Sequence, residues 1–346
     1  MKKILLGVGV ALVLVCSVNA QDVHFTQYFT SPLTLNPAMT GLVSDDLRFS
    51  ANYRSQWSSV STYPYITGTF SYDMAILKGK LPQGDAMGIG LLGLYDKAGT
   101  GGLTNTTFGL SLAYHKAFGY DRQQHISMGL QANYVQKSID FAKLTFEDEY
   151  QMGTFIPAST QEVFTKSAIS YPDINGGLMY SGKVTDHVTA YIGYSYYHLT
   201  QPVEAFENNF NHPIHSRQTG YLGGAFDMNE HTVLYASALF QSQAAATEIL
   251  IGTAVGFILN PGHDMDYQKN TIFYLGGWYR YGDAVSPYVG IEWSKMRLGV
   301  SYDVNVSSFT PATTGLGAYE ISLIYFGRIN KHERNPQYSW SCPKLY

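Results

Sequence analysis

From Met296 to Val306 the chain reads MRLGVSYDVNV, and its side chains alternate between two kinds without a break. Met296, Leu298, Val300, Tyr302, Val304 and Val306 fall on one face, and Arg297, Gly299, Ser301, Asp303 and Asn305 on the other. A period of two over this length is a β-strand with one apolar and one polar face. The pattern recurs. Val188, Ala190, Ile192, Tyr194 and Tyr196 oppose Thr189, Tyr191, Gly193 and Ser195; Met128, Leu130, Ala132 and Tyr134 oppose Gly129, Gln131, Asn133 and Lys137; Phe108, Leu110, Leu112 and Tyr114 oppose Gly109, Ser111, Ala113 and His115. About fourteen such segments are expected, near 48–57, 62–73, 86–97, 103–119, 123–139, 170–182, 186–199, 214–227, 230–243, 245–259, 270–283, 285–294, 296–306 and 317–328. Most have the ten or so residues with which a tilted strand crosses a bilayer.

An alternating strand buries its apolar face against a second sheet or against lipid, and composition favours lipid. Charged residues are only 14% of the chain, against about 25% in ordinary globular proteins. Tyrosine (28) and glycine (34) are abundant. No apolar run after residue 20 reaches the roughly 20 residues of a spanning helix, and the mean hydropathy of −0.10 looks soluble. Barrels escape such averages because outward and inward residues alternate. Lys2 and Lys3, the apolar run Ile4–Val15 and the small residues before Gln21 read as an export leader over 1–20. Cys16 follows Val15, where a lipoprotein signal wants a small residue. The expectation is an all-β, transmembrane, antiparallel barrel of about fourteen strands over 48–328, in an outer membrane. Tyr134, Tyr196, Tyr279 and Tyr281 lie towards strand ends, where an aromatic girdle meets the headgroups.

An even strand number places both ends of the barrel on one side. With those ends in the periplasm, short links such as Gly119–Arg122, Lys183–Thr185, Asp227–Glu230 and Ser294–Lys295 are periplasmic, and the long connections 140–169 and 200–213 are external. The inward faces carry charges of both signs: Arg48, Arg54, Glu248, Arg280, Glu292, Arg297, Asp303 and Glu320. Interior charges of opposite sign are expected to pair. Glu292 and Arg297 flank one tight hairpin, and the first strand, with Arg48 and Arg54, must meet the last, with Glu320. The segment 21–47, with QYFTSPLTLNPAMTG at its centre, is apolar enough to be buried, yet Pro32 and Pro37 exclude a regular helix or central strand. Irregular backbone is tolerated at membrane depth when it is buried in protein. Hence 21–47 is expected to fold into the periplasmic mouth or lumen as a plug. The tail 329–346 is expected in the periplasm.

The residues Gln21, Asp22, Phe25, Gln27, Tyr28, Pro32, Leu33, Leu35, Asn36, Pro37, Ala38 and Gly41 form a pattern that resembles the start of the PorP/SprF outer-membrane proteins of Bacteroidota. YRSQW (Tyr53–Trp57), GAYEISLIY (Gly317–Tyr325) and the SCPKLY end are similar to that family as well. The resemblance implies a non-enzymatic barrel of the type IX secretion and gliding machinery. It further implies that the barrel binds or anchors the C-terminal domain of a secreted cargo protein, and that it contacts components of the apparatus in the outer membrane and periplasm. The motif residues Phe25, Gln27, Tyr28, Pro32, Leu35, Asn36, Pro37 and Gly41 are the plug candidates.

Other clusters carry weaker chemistry. Glu147, Asp148 and Glu149 in the long external connection are candidate cargo contacts, with a solvated acidic loop as the plainer reading. His212 and His215 flank Pro213 and lack a further ligand cluster, and His263–Asp266 lacks the spacing and glycine of a calcium loop. No metal or other cofactor is expected. Nothing like G-x-S-x-G marks an activated nucleophile, so no enzyme is expected. No basic tract points to nucleic acid. Cys342, the one cysteine after the leader, is an inert thiol or an intermolecular disulfide partner. The alternative to a cargo module is a passive channel for small hydrophobic solutes, similar in shape to the long-chain fatty-acid channel.

Overall fold

A computed structural model describes residues 22–43, 45–77, 80–119, 122–156, 159–162, 166–206, 213–259, 271–308 and 310–329. The expected leader, the tail with Cys342, His212 and the 263–266 turn lie outside the described residues. Fourteen antiparallel strands close into one barrel. They are β1 (Leu47–Gln56), β2 (Tyr65–Ile76), β3 (Ala86–Ala98), β4 (Leu103–Phe118), β5 (Gln124–Ser138), β8 (Ala168–Thr185), β9 (Val188–Tyr197), β10 (Arg217–Asn229), β11 (Thr232–Gln243), β12 (Ala246–Ile258), β13 (Ile272–Arg280), β14 (Ala284–Trp293), β15 (Met296–Asn305) and β16 (Leu316–Gly327). A two-residue ladder, β6 (Tyr150–Gln151) with β7 (Thr154–Phe155), stands apart in the longest connection. Each strand pairs with its sequence neighbour, and β1 closes on β16 with Leu47 opposite Gly327 and Arg54 opposite Glu320.

Side-chain alternation becomes an inside and an outside. On β4, Phe108, Leu110 and Leu112 are 64%, 60% and 51% exposed, whereas Ser111 and His115 are 1% and 0% exposed. The outward row is the surface that meets lipid, and the inward row lines the lumen. Tyr134, Tyr279 and Tyr281 also face outward. The connections 139–167 and 198–216 share one end of the barrel, here the loop end; β1 starts and β16 finishes at the other, the terminus end. Two short links sit later than the alternation suggests. β8 runs through Thr185 and β10 through Asn229, so the turns are Asp186–His187 and Glu230–His231. Both shifts coincide with register irregularities, between Lys183 and Thr185 and between Asp227 and Asn229. A bulge of this kind breaks the period of two without ending the strand.

The wall is not level. β4, β5 and β8 have 16, 15 and 18 residues, whereas β13, β14 and β15 have 9, 10 and 10. About ten residues cross the bilayer, so the long strands stand well clear of it. The lumen is divided as well. On one side the tyrosines Tyr191, Tyr221, Tyr235, Tyr274 and Tyr288 turn inward with Trp278 and are buried. On the other, Ser50, Asn52, Thr69, Ser71, Ser111 and Gln131 make a polar wall.

Candidate functional site

Residues 22–43 lie inside the barrel. Phe25 to Leu33 and Leu35 to Val43 are all buried. Both prolines start helical turns instead of breaking a regular element. Pro32 opens the helix Pro32–Leu35 and Pro37 the 3-10 turn Pro37–Met39, positions where a missing N–H is harmless. Asn36 joins the turns. Its side-chain oxygen accepts from the Ala38 N–H at 2.8 Å, while its amide donates to the Tyr221 hydroxyl and the Leu178 carbonyl, both at 3.0 Å. Phe29 packs on Trp278 with ring centres 5.0 Å apart and edge-on to Tyr288 at 5.8 Å.

The segment enters at the loop end. There the Thr26 and Gln27 backbone N–H groups donate to the two oxygens of Glu320 at 2.8 and 2.9 Å. Arg54 bonds that carboxylate too, and it reaches Asp303 at 2.9 Å. Arg280 ties Asp303 at 3.2 Å and Glu248 at 3.1 Å, and donates to the Thr26 hydroxyl at 2.6 Å. The Gln27 amide donates to Ser301, and its oxygen accepts from Ser322. Five of the eight inward charges named from the sequence are therefore linked in one cluster around Thr26: Arg54, Glu248, Arg280, Asp303 and Glu320. Arg48 sits elsewhere. It was expected against the last strand, and instead it bonds Asp73 of β2 at 2.8 Å, with the Met39 carbonyl at 3.1 Å. Register explains the correction: across β1–β16 Arg48 faces Phe326, and across β1–β2 it faces Asp73. Glu292 and Arg297 bond each other across their hairpin at 2.9 Å, away from the segment.

The segment leaves at the terminus end by shape. Gly41 is in the left-handed region (φ +72°), and its N–H donates to Asp73 at 2.7 Å. Inward glycines receive the chain there. A Cβ at Gly88 would lie 1.9 Å from the Thr40 carbonyl oxygen, one at Gly129 2.3 Å from the Pro37 carbonyl carbon, and one at Gly177 1.9 Å from the Asn36 side-chain oxygen. His115 bridges Ser127 at 2.7 Å and the Thr40 carbonyl at 2.8 Å.

A second charged group was not singled out from the sequence. His198, just past β9, sits between Asp22 (2.8 Å) and Asp173 (3.0 Å), and Arg217 lies 3.4 Å from Asp22. Gln243 accepts from the Asp22 N–H at 2.7 Å. Burial disfavours the imidazolium, but the carboxylates of Asp22 and Asp173 outweigh it and raise the His198 pKa to about 9. Inward parity marks Asp73 and Asp173 on their strands, and that signal was available in the sequence.

In the connection 139–167, Glu147 and Asp148 are exposed, whereas Glu149 is buried and accepts from the Phe146 N–H at 3.0 Å. Tyr150, Met152, Phe155 and Ile156 project from the β6–β7 turn, with Met152 fully exposed. Lys137 bonds Glu204 at 2.5 Å, and Phe141 stands edge-on to Phe206 at 6.3 Å, so the two long connections are tied together. Among the described residues no cluster of His, Cys, Asp and Glu could hold a metal ion.

A family model described as type IX secretion system membrane protein PorP/SprF matches residues 17–325. The chain belongs to the PorP/SprF family. This PorP/SprF protein is an outer-membrane β-barrel of type IX secretion, from a family of secretion-system membrane proteins. No curated protein matches it. Among solved structures it is similar to the toluene transporter TodX of P. putida (11% identity, 86% of this chain and 93% of that one, TM-score 0.50). It is also similar to the CymD monoaromatic hydrocarbon channel (10%, 88% and 94%, 0.48) and the toluene transporter TbuX of Ralstonia pickettii (12%, 86% and 94%, 0.45). At these identities the likeness to TodX speaks for the barrel fold alone.

Proposed function

We propose that this PorP/SprF protein is a binding and anchoring module. Residues 22–43 close the lumen as a plug, the loop end faces outward and holds the C-terminal domain of a secreted cargo protein, and the terminus end faces the periplasmic components of the apparatus. The observation that carries the reading is the attachment of the segment along its whole length, from Asp22 against His198 and Gln243 to Gly41 against Asp73. A solute path would have to break the buried charge cluster around Thr26, and leaving such charges unpaired costs several kcal/mol, about 3 to 5. Contact with a partner then falls to the projecting loops, where the apolar tip around Met152 sits beside Glu147 and Asp148. Within 139–167 there are five carboxylates against two lysines, a balance that suits a protein with a basic rim and repels anionic lipid headgroups.

Two measurements on the purified barrel test this. Separately expressed C-terminal domains of the bacterium's large secreted proteins are titrated onto it, and toluene-sized solute flux is followed in liposomes. Saturable binding of one domain with no flux is expected. Flux in the absence of binding replaces the module by the passive hydrophobic channel.

A further inference from the structure

We propose that the upper part of β8 is a docking edge that takes an extended strand from the partner protein. This rests on the anchoring role above and specifies how the partner is held.

The edge comes from a mismatch between neighbours. β8 pairs with β5 from Ser138–Ala168 downward, but with β9 only from Gly176–Tyr196 downward. Seven residues, 168–174, therefore stand beyond the end of β9. In an antiparallel strand the N–H and C=O of one residue point to the same side, and successive residues alternate sides. Ile139 N donates to the Ser167 carbonyl, which places the odd residues toward β5. Leu199 N donates to the Ile174 carbonyl, which places the even residues toward the far side. Ala168 and Ser170 thus present both backbone groups outward from the sheet. Pro172 presents its carbonyl and, having no N–H, forfeits nothing by standing there. Among the described residues no backbone group bonds these three on that side. Ala168, Ser170 and Pro172 are all exposed.

The chain that would otherwise cover the edge is turned away by an identifiable device. His198 takes the left-handed conformation (φ +58°), its N–H donates to the Asn175 side chain at 2.9 Å, and its ring is held by Asp173 and Asp22. The described start of the connection, 198–206, is drawn toward the lumen, where Glu204 meets the inward-facing Lys137. A row of unmade backbone hydrogen bonds is complementary to another extended backbone, which is how strand addition recognises a peptide. Pro172 ends the row, so the added strand lies over 168–171 and does not run down into the bilayer.

The test uses the full chain in native outer-membrane vesicles. In a Cys342→Ser background, Ser170→Cys carries a benzophenone probe. Irradiation is expected to give an adduct whose sites map to one contiguous extended segment of the cargo protein's C-terminal domain. Ala168→Pro, which removes only an outward N–H, should cut the adduct at least tenfold, while Ala168→Thr leaves it intact. A folded barrel by heat-modifiable migration is required of each variant. Adducts confined to lipid or to the chain's own 198–216 connection, or an adduct indifferent to Ala168→Pro, overturn the docking edge. Co-purification of the cargo domain together with such a result leaves the anchoring role standing, whereas loss of co-purification from the unsubstituted protein removes both.

Discussion

Thr26 and Gln27 at the loop end of the lumen segment are gripped by a carboxylate, two guanidinium groups and a second carboxylate, whereas Pro37 to Gly41 at the terminus end lie against glycines. The first half is held by a cluster of five charges, whereas the second has the single Arg48–Asp73 pair and is otherwise held by close approach of backbone to backbone. Charge is strong and intolerant of losing one member. Close packing is weaker per contact but intolerant of added volume. The same segment is thus fixed by two mechanisms that fail under different perturbations.

The largest expected effect comes from removing one charge. Arg54→Met takes the guanidinium from Glu320 and leaves Asp303 to Arg280 alone, and a loss of about 3–5 kcal/mol is expected in urea unfolding from detergent micelles, with residues near Thr26 opened to protease. A loss below ~1 kcal/mol would erase the distinction between the halves. Adding one methyl group at the other end should cost less. Gly177→Ala drives a Cβ into the Asn36 side chain, with an expected cost of about 1–3 kcal/mol. Combining it with Asn36→Ala should cost less than the two changes summed, because the obstructing oxygen is gone.

Proton concentration acts on the loop end through His198. The His198 pKa is raised from the ordinary 6.5 to about 9. Its stabilising tie to Asp22 and Asp173 is therefore complete below about pH 6.5 and is lost as pH rises through about 9. Proteolysis near residue 22 should increase over that window, and Asp22→Asn should flatten the dependence. The smallest effect belongs outside the lumen. Glu147→Gln with Asp148→Asn should change stability by no more than about 0.5 kcal/mol and show itself as a slower, less salt-sensitive association with the cargo domain.

Period-two alternation made the strands legible because lipid and lumen impose opposite demands on successive residues, and all fourteen lie where the alternation places them. It failed at Thr185 and Asn229, where bulges shift the period. Polarity was a poorer guide to the lumen. Tyr191 was read correctly as inward, but as one of a polar row; with Tyr221, Tyr235, Tyr274 and Tyr288 it builds an aromatic wall. Tyrosine suits a headgroup girdle and a packed interior equally, so residue type does not separate them. The glycines that receive the segment look in sequence like any barrel glycines, since their role is defined by what lies across the lumen. Arg48 shows the limit of pairing by proximity: two strands flank β1, and only register says which one holds its partner.

The meeting of Thr26, Gln27 and Arg54 with Glu320 spans nearly 300 positions of sequence. Residues that precede every strand of the barrel wait for its last strand before their polar groups are satisfied. Contacts so distant along the chain form late. Membrane insertion therefore has to keep the cylinder open at the β1–β16 seam until the final strand is delivered, and a chain truncated before residue 320 would present an unfinished interior to whatever machinery inspects it.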